Sequence, residues 1–308
     1  MLTRRTALKS LAAGTLCQLE AKQTPVIFAV PNNACDCHTH IIADPQKFPF
    51  SPTRVYTPQP ASPQEMAQLH KELHIKRVVI VTPSVYGTDN SATLFGIKTR
   101  GATARGIAVI DDKTTEKDLD TLENSGIRGI RLNLATGGQT DSAAALKRLA
   151  AAIIQIKARN WHLQIYTSAA TIPAIKDQIL ASPIPIVFDH FGGIQTALGP
   201  DQPGFADLID LLRAGSAYVK VSGAYRASTQ APDYPDVAPF AKGFVAANPD
   251  RVLWGTDWPH PDTTPSPKVS KPLPIDDGRL FNQLAVWAPD PQARQKILTE
   301  NPARLYGF

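Results

Sequence analysis

Cysteine is scarce, with three in 308 residues, and that scarcity removes a disulfide framework as the source of stability. Cys17 lies near the N-terminus, while Cys35 and Cys37 stand two apart on one predicted strand. Neighbours at i and i+2 of a strand point the same way but sit too far apart for an unstrained disulfide. Strict alternation puts these two small residues on the side opposite His38 and His40. Also missing is any apolar run near the roughly 20 residues that a membrane helix needs. No run of Lys and Arg interleaved with aromatics occurs, which argues against nucleic acid as a partner. The net charge of +5 comes partly from Arg4, Arg5, Lys9 and Lys22, so the rest of the chain is only mildly basic. With 43% hydrophobic and 19% charged residues, the composition is that of an ordinary globular chain with ample material for a core.

The N-terminal "MLTRRTALKSLAAGTLCQL" pairs Arg4 and Arg5 ahead of a modest apolar run. It resembles a twin-arginine export signal, with Ala7 where a Phe is usual. Residues 1–30 are therefore expected to be signal and linker, and 31–308 one domain. The expected location is the periplasm, without a membrane anchor once the signal is removed; a cytoplasmic chain is the alternative.

Beyond the signal, short β-rich runs alternate with helical patterns. The strand candidates are "ACDCHTHI", "KRVVIVTP", "ARGIAVI", "IRGIRLNL", "WHLQIYTS", "PIPIVFDH", "AYVKVSG" and "RVLWGTD". Between them lie amphipathic stretches at Pro63–Glu72, Glu116–Asn124, Ser142–Arg159, Phe205–Arg213 and Val237–Ala247. Eight strands with a helix or long loop after each predict an α/β fold, a (β/α)8 TIM barrel, which at about 250 residues would absorb the chain. An open doubly wound sheet is the alternative. The Pro-rich stretches 44–63 and 261–278 follow strand C-terminal ends and are expected to be lids or walls of a site there.

The polar residues at those strand ends share a theme. They are Asp36, His38 and His40 on the first strand, Ser84 after the second, and Arg131 with Asn133 on the fourth. Tyr166 ends the fifth, Asp189 and His190 the sixth, Ser222 the seventh with Arg226 beyond it, and Asp257 the eighth. One histidine at a strand end is often a satisfied core residue, but three with an Asp are hard to assign to packing. Arg131 sits in the apolar run "GIRLNL", where a buried guanidinium needs an anion or an internal ion pair. Arg128 is expected to be a surface or helix-facing salt-bridge partner. His70 and His74, on a helix, and His162 are taken as structural, and His260 as facing a loop.

"DCHTHI", "FPFSPTRVYTP", "GIRGIRLNL", "DHFGG", "KVSGAYR", "RVLWGTDWPHP" and "NPARLYGF", in this order from Cys35 to Tyr306, resemble the amidohydrolase superfamily in its branch related to 2-pyrone-4,6-dicarboxylate lactonase. Binuclear members carry a bridging group on the fourth strand and a histidine on the fifth. "RLNL" and "IYTS" offer neither. The resemblance implies a hydrolase that opens a small carboxylate-bearing lactone without metal. In that scheme Asp257 is the general base, and His38, His40 and His190 polarise the carbonyl. Arg131 and Arg226 hold the acid group, with Tyr56, Ser84 and Tyr166 as further substrate contacts. Three alternatives stay open: one zinc on His38, His40 and Asp257, a lactone isomerase acting on sugar diacid lactones, and a non-catalytic binder of small acids. Ala135, Thr136, Gly137 and Gly138 stand where the dicarboxylate lactonase has basic residues, so a second substrate carboxylate lacks its partner.

Overall fold

Short strands rich in β-branched residues, covered on both faces, are the local preference that builds this molecule. The computed structural model describes residues 23–134 and 142–308, so the twin-arginine segment and residues 135–138 lie outside the described residues. The strands are β1 (Cys35–Thr39), β2 (Arg77–Val81), β3 (Ala104–Ala108), β4 (Ile127–Asn133), β5 (His162–Tyr166), β6 (Ile186–Phe188), β7 (Ala217–Ser222) and β8 (Val252–Gly255). All are parallel and stand in sequence order in one sheet. Asp257 N–H donates to His38 O and His40 N–H to Trp258 O, both at 2.8 Å, and these bonds close the sheet into a barrel. Gly255 permits the closure, because a Cβ there would stand 2.8 Å from the His38 backbone nitrogen.

Parallel neighbours need crossovers, and helices supply them. These are α1 (Pro63–Glu72), α2 (Ser91–Arg100), α3 (Glu116–Asn124), α4 (Ser142–Ile156), α5 (Ile172–Leu180), α6 (Phe205–Arg213), α7 (Ala238–Ala247) and α8 (Asp277–Trp287). Capping boxes start two of them, Ser62 with Glu65 on α1 and Thr115 with Asp118 on α3. The α4 helix stops three residues before Arg159, whose guanidinium is drawn to Glu116, Asp120 and Glu123. His74 lies past the end of α1, in a turn with φ of +58°, and so is not helical as expected.

Outward strand residues such as Ile80, Ile165, Phe188 and Val219 pack against the helices. A second cluster fills the barrel interior: Cys35, Cys37, Val79, Val81, Ile107, Val187, Tyr218 and Leu253, with Tyr306 from the C-terminal helix. The two cysteines thus point inward, which corrects the alternation argument. The register of β1 against β2 shifts between Asp36 and Thr39, and such a bulge changes which face a side chain takes. Cys37 and His38 both turn inward, while Asp36 turns out to Thr256 and to His70 on α1, 3.2 Å away.

His162 lies buried at the opposite end of the barrel from the strand C-termini, its ring against Tyr306. Burial, aided by Lys220, pushes its pKa down to about 3. A histidine held neutral in the fold binds its proton only in the unfolded chain. Stability from this group is therefore intact above the unfolded value of about 6.5 and falls as pH drops toward 3, by up to about 1.4 kcal/mol per pH unit. Replacing His162 with Phe is expected to flatten the loss of unfolding free energy between pH 6 and 4, measured by urea melts. An unchanged slope would refute the assignment.

Residues 23–30, expected as linker, are tied to the barrel. Thr24 bonds Asp276, and Asn282 spans the strap by accepting from Ile27 N–H and donating to Pro25 O. The two Pro-rich segments meet as well: Val269–Ser270 pairs with Thr57–Pro58.

Candidate active site

The strand C-terminal ends of the barrel gather one cluster. Asp257 Oδ1 is buried without a hydrogen-bond partner. His40 Nε2 lies 3.4 Å from it, His38 Nε2 3.7 Å and His190 Nε2 3.8 Å. The other oxygen, Oδ2, accepts from Tyr225 Oη at 2.6 Å and from Arg226 Nε at 2.5 Å. One face of the carboxylate is thus anchored, and the other is offered to the histidines. Burial by itself would raise this carboxyl, but Arg226 and the histidines outweigh it and hold it well below the usual carboxylate range. The backbone is unusual at the same places: Asp257 has φ of +66° and His190 of +45°. Left-handed backbone at such residues costs of order 1–3 kcal/mol each and persists where packing over-determines it.

Each histidine is fixed by its second nitrogen. His40 Nδ1 lies 2.8 Å from Val81 O. A carbonyl only accepts, so Nδ1 carries the proton, and Nε2 donates only when the ring is doubly protonated. His190 Nδ1 meets Ser222 Oγ at 3.0 Å, and burial, with Arg226, brings its pKa down to about 4 against the pull of Asp257. Burial likewise lowers His38 well below the usual imidazole value. Beneath the cluster, Lys220 Nζ lies 3.2 Å from His38 Nδ1 and donates to Gln164 Oε1 at 2.6 Å. Gln164 Nε2 and Arg131 Nε in turn donate to Asp189 Oδ2, at 3.0 and 2.9 Å.

A cavity above the cluster is lined by His40, Tyr56, Ser84, Arg131, Tyr166, His190 and Arg226, with Asn133, Pro83, Pro261 and Thr263. All five residues expected to bind substrate therefore meet at one place. Its volume, about 20 Å³, holds one water. A larger cleft of about 610 Å³ lies outside the loops, lined by Pro58, Trp258, His260 and Leu273 among others. The histidine cluster does not line it.

Two arginines differ from the simplest expectation. Arg131 is an internal ion pair with Asp189, its guanidinium 5.1 Å from the Tyr166 ring centre, and Arg226 pairs with Asp257. Each spends Nε on the protein. Arg128 bonds the carbonyls of Glu123 and Ile127 instead of forming the expected salt bridge. His260 is buried, not loop-facing: Nε2 meets Asp277 Oδ2 at 3.1 Å and Nδ1 meets Tyr225 Oη at 3.3 Å. The sequence reading missed Tyr225, Gln164 and Lys220. Lys220 and Gln164 share strand parity with Ser222 and Tyr166, so polar residues in apolar strands were the available signal.

Among the described residues, His38, His40 and Asp257 bring potential metal ligands within 4.8 Å of one another, as do His38, Asp189 and His190. His40 Nε2 and Asp257 Oδ1 suit an ion. His38 Nδ1 lies 3.2 Å from both Lys220 Nζ and Asp189 Oδ1, and its Nε2 can ligate only if Nδ1 carries the proton. The fit of the trio to a zinc ion therefore turns on the tautomer of His38.

A model of the amidohydrolase family matches residues 35–308. The chain belongs to this family. It is 34% identical over 289 residues to a 4-sulfomuconolactone hydrolase of Rhizobium radiobacter, an alignment covering 93% of this chain and 94% of the relative. It is 35% identical to a 2-pyrone-4,6-dicarboxylate hydrolase of Comamonas testosteroni, over 91% of this chain and 92% of the other. A D-galactarolactone isomerase of Agrobacterium fabrum is 31% identical, with 90% and 92% covered. Similar amidohydrolases thus include both lactone hydrolases and a lactone isomerase.

Proposed function

We propose that this amidohydrolase opens a small lactone bearing an acid group, with water activated by Asp257 and without a metal ion. The observation that carries the reading is the single unpartnered oxygen of Asp257, ringed by three imidazole nitrogens at 3.4–3.8 Å beneath a cavity with two arginines. Water attacks the lactone carbonyl carbon and gives its proton to Oδ1. The oxygen that becomes negative is stabilised by His38 Nε2–H and by His190. The ring C–O bond then breaks, and the leaving oxygen takes the proton from Asp257, so the product is the open acid. Arg131 and Arg226 meet the substrate acid group with their terminal nitrogens. A carboxylate or a sulfonate suits them equally in charge.

The test is a screen of carboxylated and sulfonated lactones with a pH indicator, run with and without chelator. Acid release that survives chelation is the expected result, and release abolished by chelator and restored by zinc would overturn the metal-free mechanism. The isomerase relative supports a second reading, in which a hydroxyl of the substrate replaces water. Product NMR separates the two, as an open acid or a new ring. We further propose export through the N-terminal twin arginines. A reporter fused to residues 1–30 should reach the periplasm, and an Arg4→Lys/Arg5→Lys pair should retain it inside.

A further inference from the structure

Lys220 is a full-length cationic side chain inside a barrel, with no exposed surface. Nothing in the hydrolytic steps above uses it. Its partners define what it can do. Gln164 Oε1 at 2.6 Å accepts from it, and Gln164 is itself oriented by donating Nε2 to Asp189 Oδ2. Asp189 Oδ1 lies 3.4 Å from Nζ, and His38 Nδ1 lies 3.2 Å away. An ammonium has three donors and no lone pair, so its bond to Nδ1 requires Nδ1 to accept.

Asp189 Oδ1 competes for the same ring nitrogen. It also lies 3.2 Å from Nδ1, within reach of a hydrogen bond but poorly aligned for one. The two neighbours demand opposite tautomers. Were Asp189 the partner, Nδ1 would carry the proton and Nε2 would offer a lone pair beside His40 Nε2 and Asp257 Oδ1. A carboxylate behind a ligating imidazole is the usual second-shell arrangement of metal sites. Lys220 imposes the reverse. Charge points the same way: among the described residues, the three cations Lys220, Arg131 and Arg226 pair with two carboxylates, Asp189 and Asp257, before any divalent ion enters.

We infer that Lys220 is a positioning residue that holds His38 in the tautomer with the proton on Nε2, making it a donor to the reacting oxygen and denying it to a metal ion. This rests on the role proposed above for His38. The experiment does not depend on turnover, so the two can fail separately. The imidazole nitrogens of 15N-histidine-labelled protein are read by long-range 1H–15N NMR, with His38 assigned through a His38→Gln variant. Wild type should show a protonated Nε2 and an unprotonated Nδ1. Lys220→Met should move the proton to Nδ1, where Asp189 Oδ1 accepts it, and should tighten zinc binding, measured by calorimetry with zinc alone, by about tenfold or more.

The wild-type spectrum needs no variant and decides the first half of the inference even if Lys220→Met fails to fold. A proton found on Nδ1 of wild-type His38 overturns it, and so does a Lys220→Met protein whose tautomer is unchanged. Zinc affinity equal in the two proteins overturns the exclusion of metal. Lactone turnover by a wild type with the wrong tautomer would leave Asp257-driven hydrolysis standing and remove both Lys220 and the His38 donor from it.

Discussion

Replacing Asp257 with Asn is expected to lower kcat by about 10³- to 10⁴-fold, the upper part of the range for loss of a general base, while the barrel still folds. The surroundings dictate how the amide sits. Tyr225 Oη and Arg226 Nε both donate at Oδ2, so the amide oxygen must occupy that side. The NH2 group is then turned toward the imidazole nitrogens, where His40 Nε2 can accept from it. The result is a group of the same shape whose face toward the water has donors only. It cannot take a proton.

Stability should drop as well, because Arg226 loses its charged partner in a buried setting. Breaking a buried pair outright costs about 3–5 kcal/mol, and the amide oxygen keeps part of the bond. Circular dichroism should be unchanged and the melting temperature lower. A variant with wild-type kcat would sink the role of Asp257. The wild-type pH profile carries its own check. A base held below the usual carboxylate range stays ionised as pH falls from 7, so kcat should lose nothing to this group until pH is below about 4.

How much of this was legible in the chain depended on whether a residue's neighbours in space were its neighbours in pattern. All eight barrel strands could be read, because a strand covered on both faces must be a short continuous apolar run. "PIPIVF" and "RVVIV" have no other use at that length. The cavity residues could be read for a related reason: polar side chains at the C-terminal ends of such strands have one place to converge. The β1 bulge was not legible. Alternation groups Asp36 with His38 and His40, and only the register against β2 and the bonds to Thr256 and His70 turn Asp36 outward. Likewise the sequence near His260 reads as loop, yet its backbone takes φ of +59° and its ring lies between Tyr225 and Asp277. From its apolar strand Arg131 was recognised as needing an anion, and from the family resemblance Arg226 as an acid-holding position. That the anions would be Asp189 and Asp257, 58 and 31 residues away, is a product of barrel closure that no local pattern carries.

The pairing of Arg226 with Asp257 gives the second large effect, because one side chain then serves two ends. Its Nε holds Asp257 ionised, and in the proposed reaction its terminal nitrogens meet the substrate acid. Arg226→Met removes both, and two substrates tell them apart. For a lactone with an acid group, kcat/KM at pH 7 should fall by about 10²-fold or more, the loss expected when a buried charge pair is broken. For a neutral lactone of the same ring, the binding contribution is absent in wild type, so only the effect on Asp257 remains. That effect has a definite sign. Without the guanidinium, burial is no longer outweighed and the carboxyl rises. The acid limb of the pH profile should move up by about 1–3 units for either substrate, with kcat recovering toward alkaline pH. The same loss should appear in stability. A carboxylate depressed in the fold contributes stability that is present above its unfolded value of about 4 and lost as pH falls through the depressed one. In Arg226→Met that acid-side loss should shrink, since the folded and unfolded values have drawn together. An acid limb unmoved by the substitution would show that Arg226 does not set the state of Asp257. Equal losses on neutral and acidic lactones would show that it does not hold the acid group.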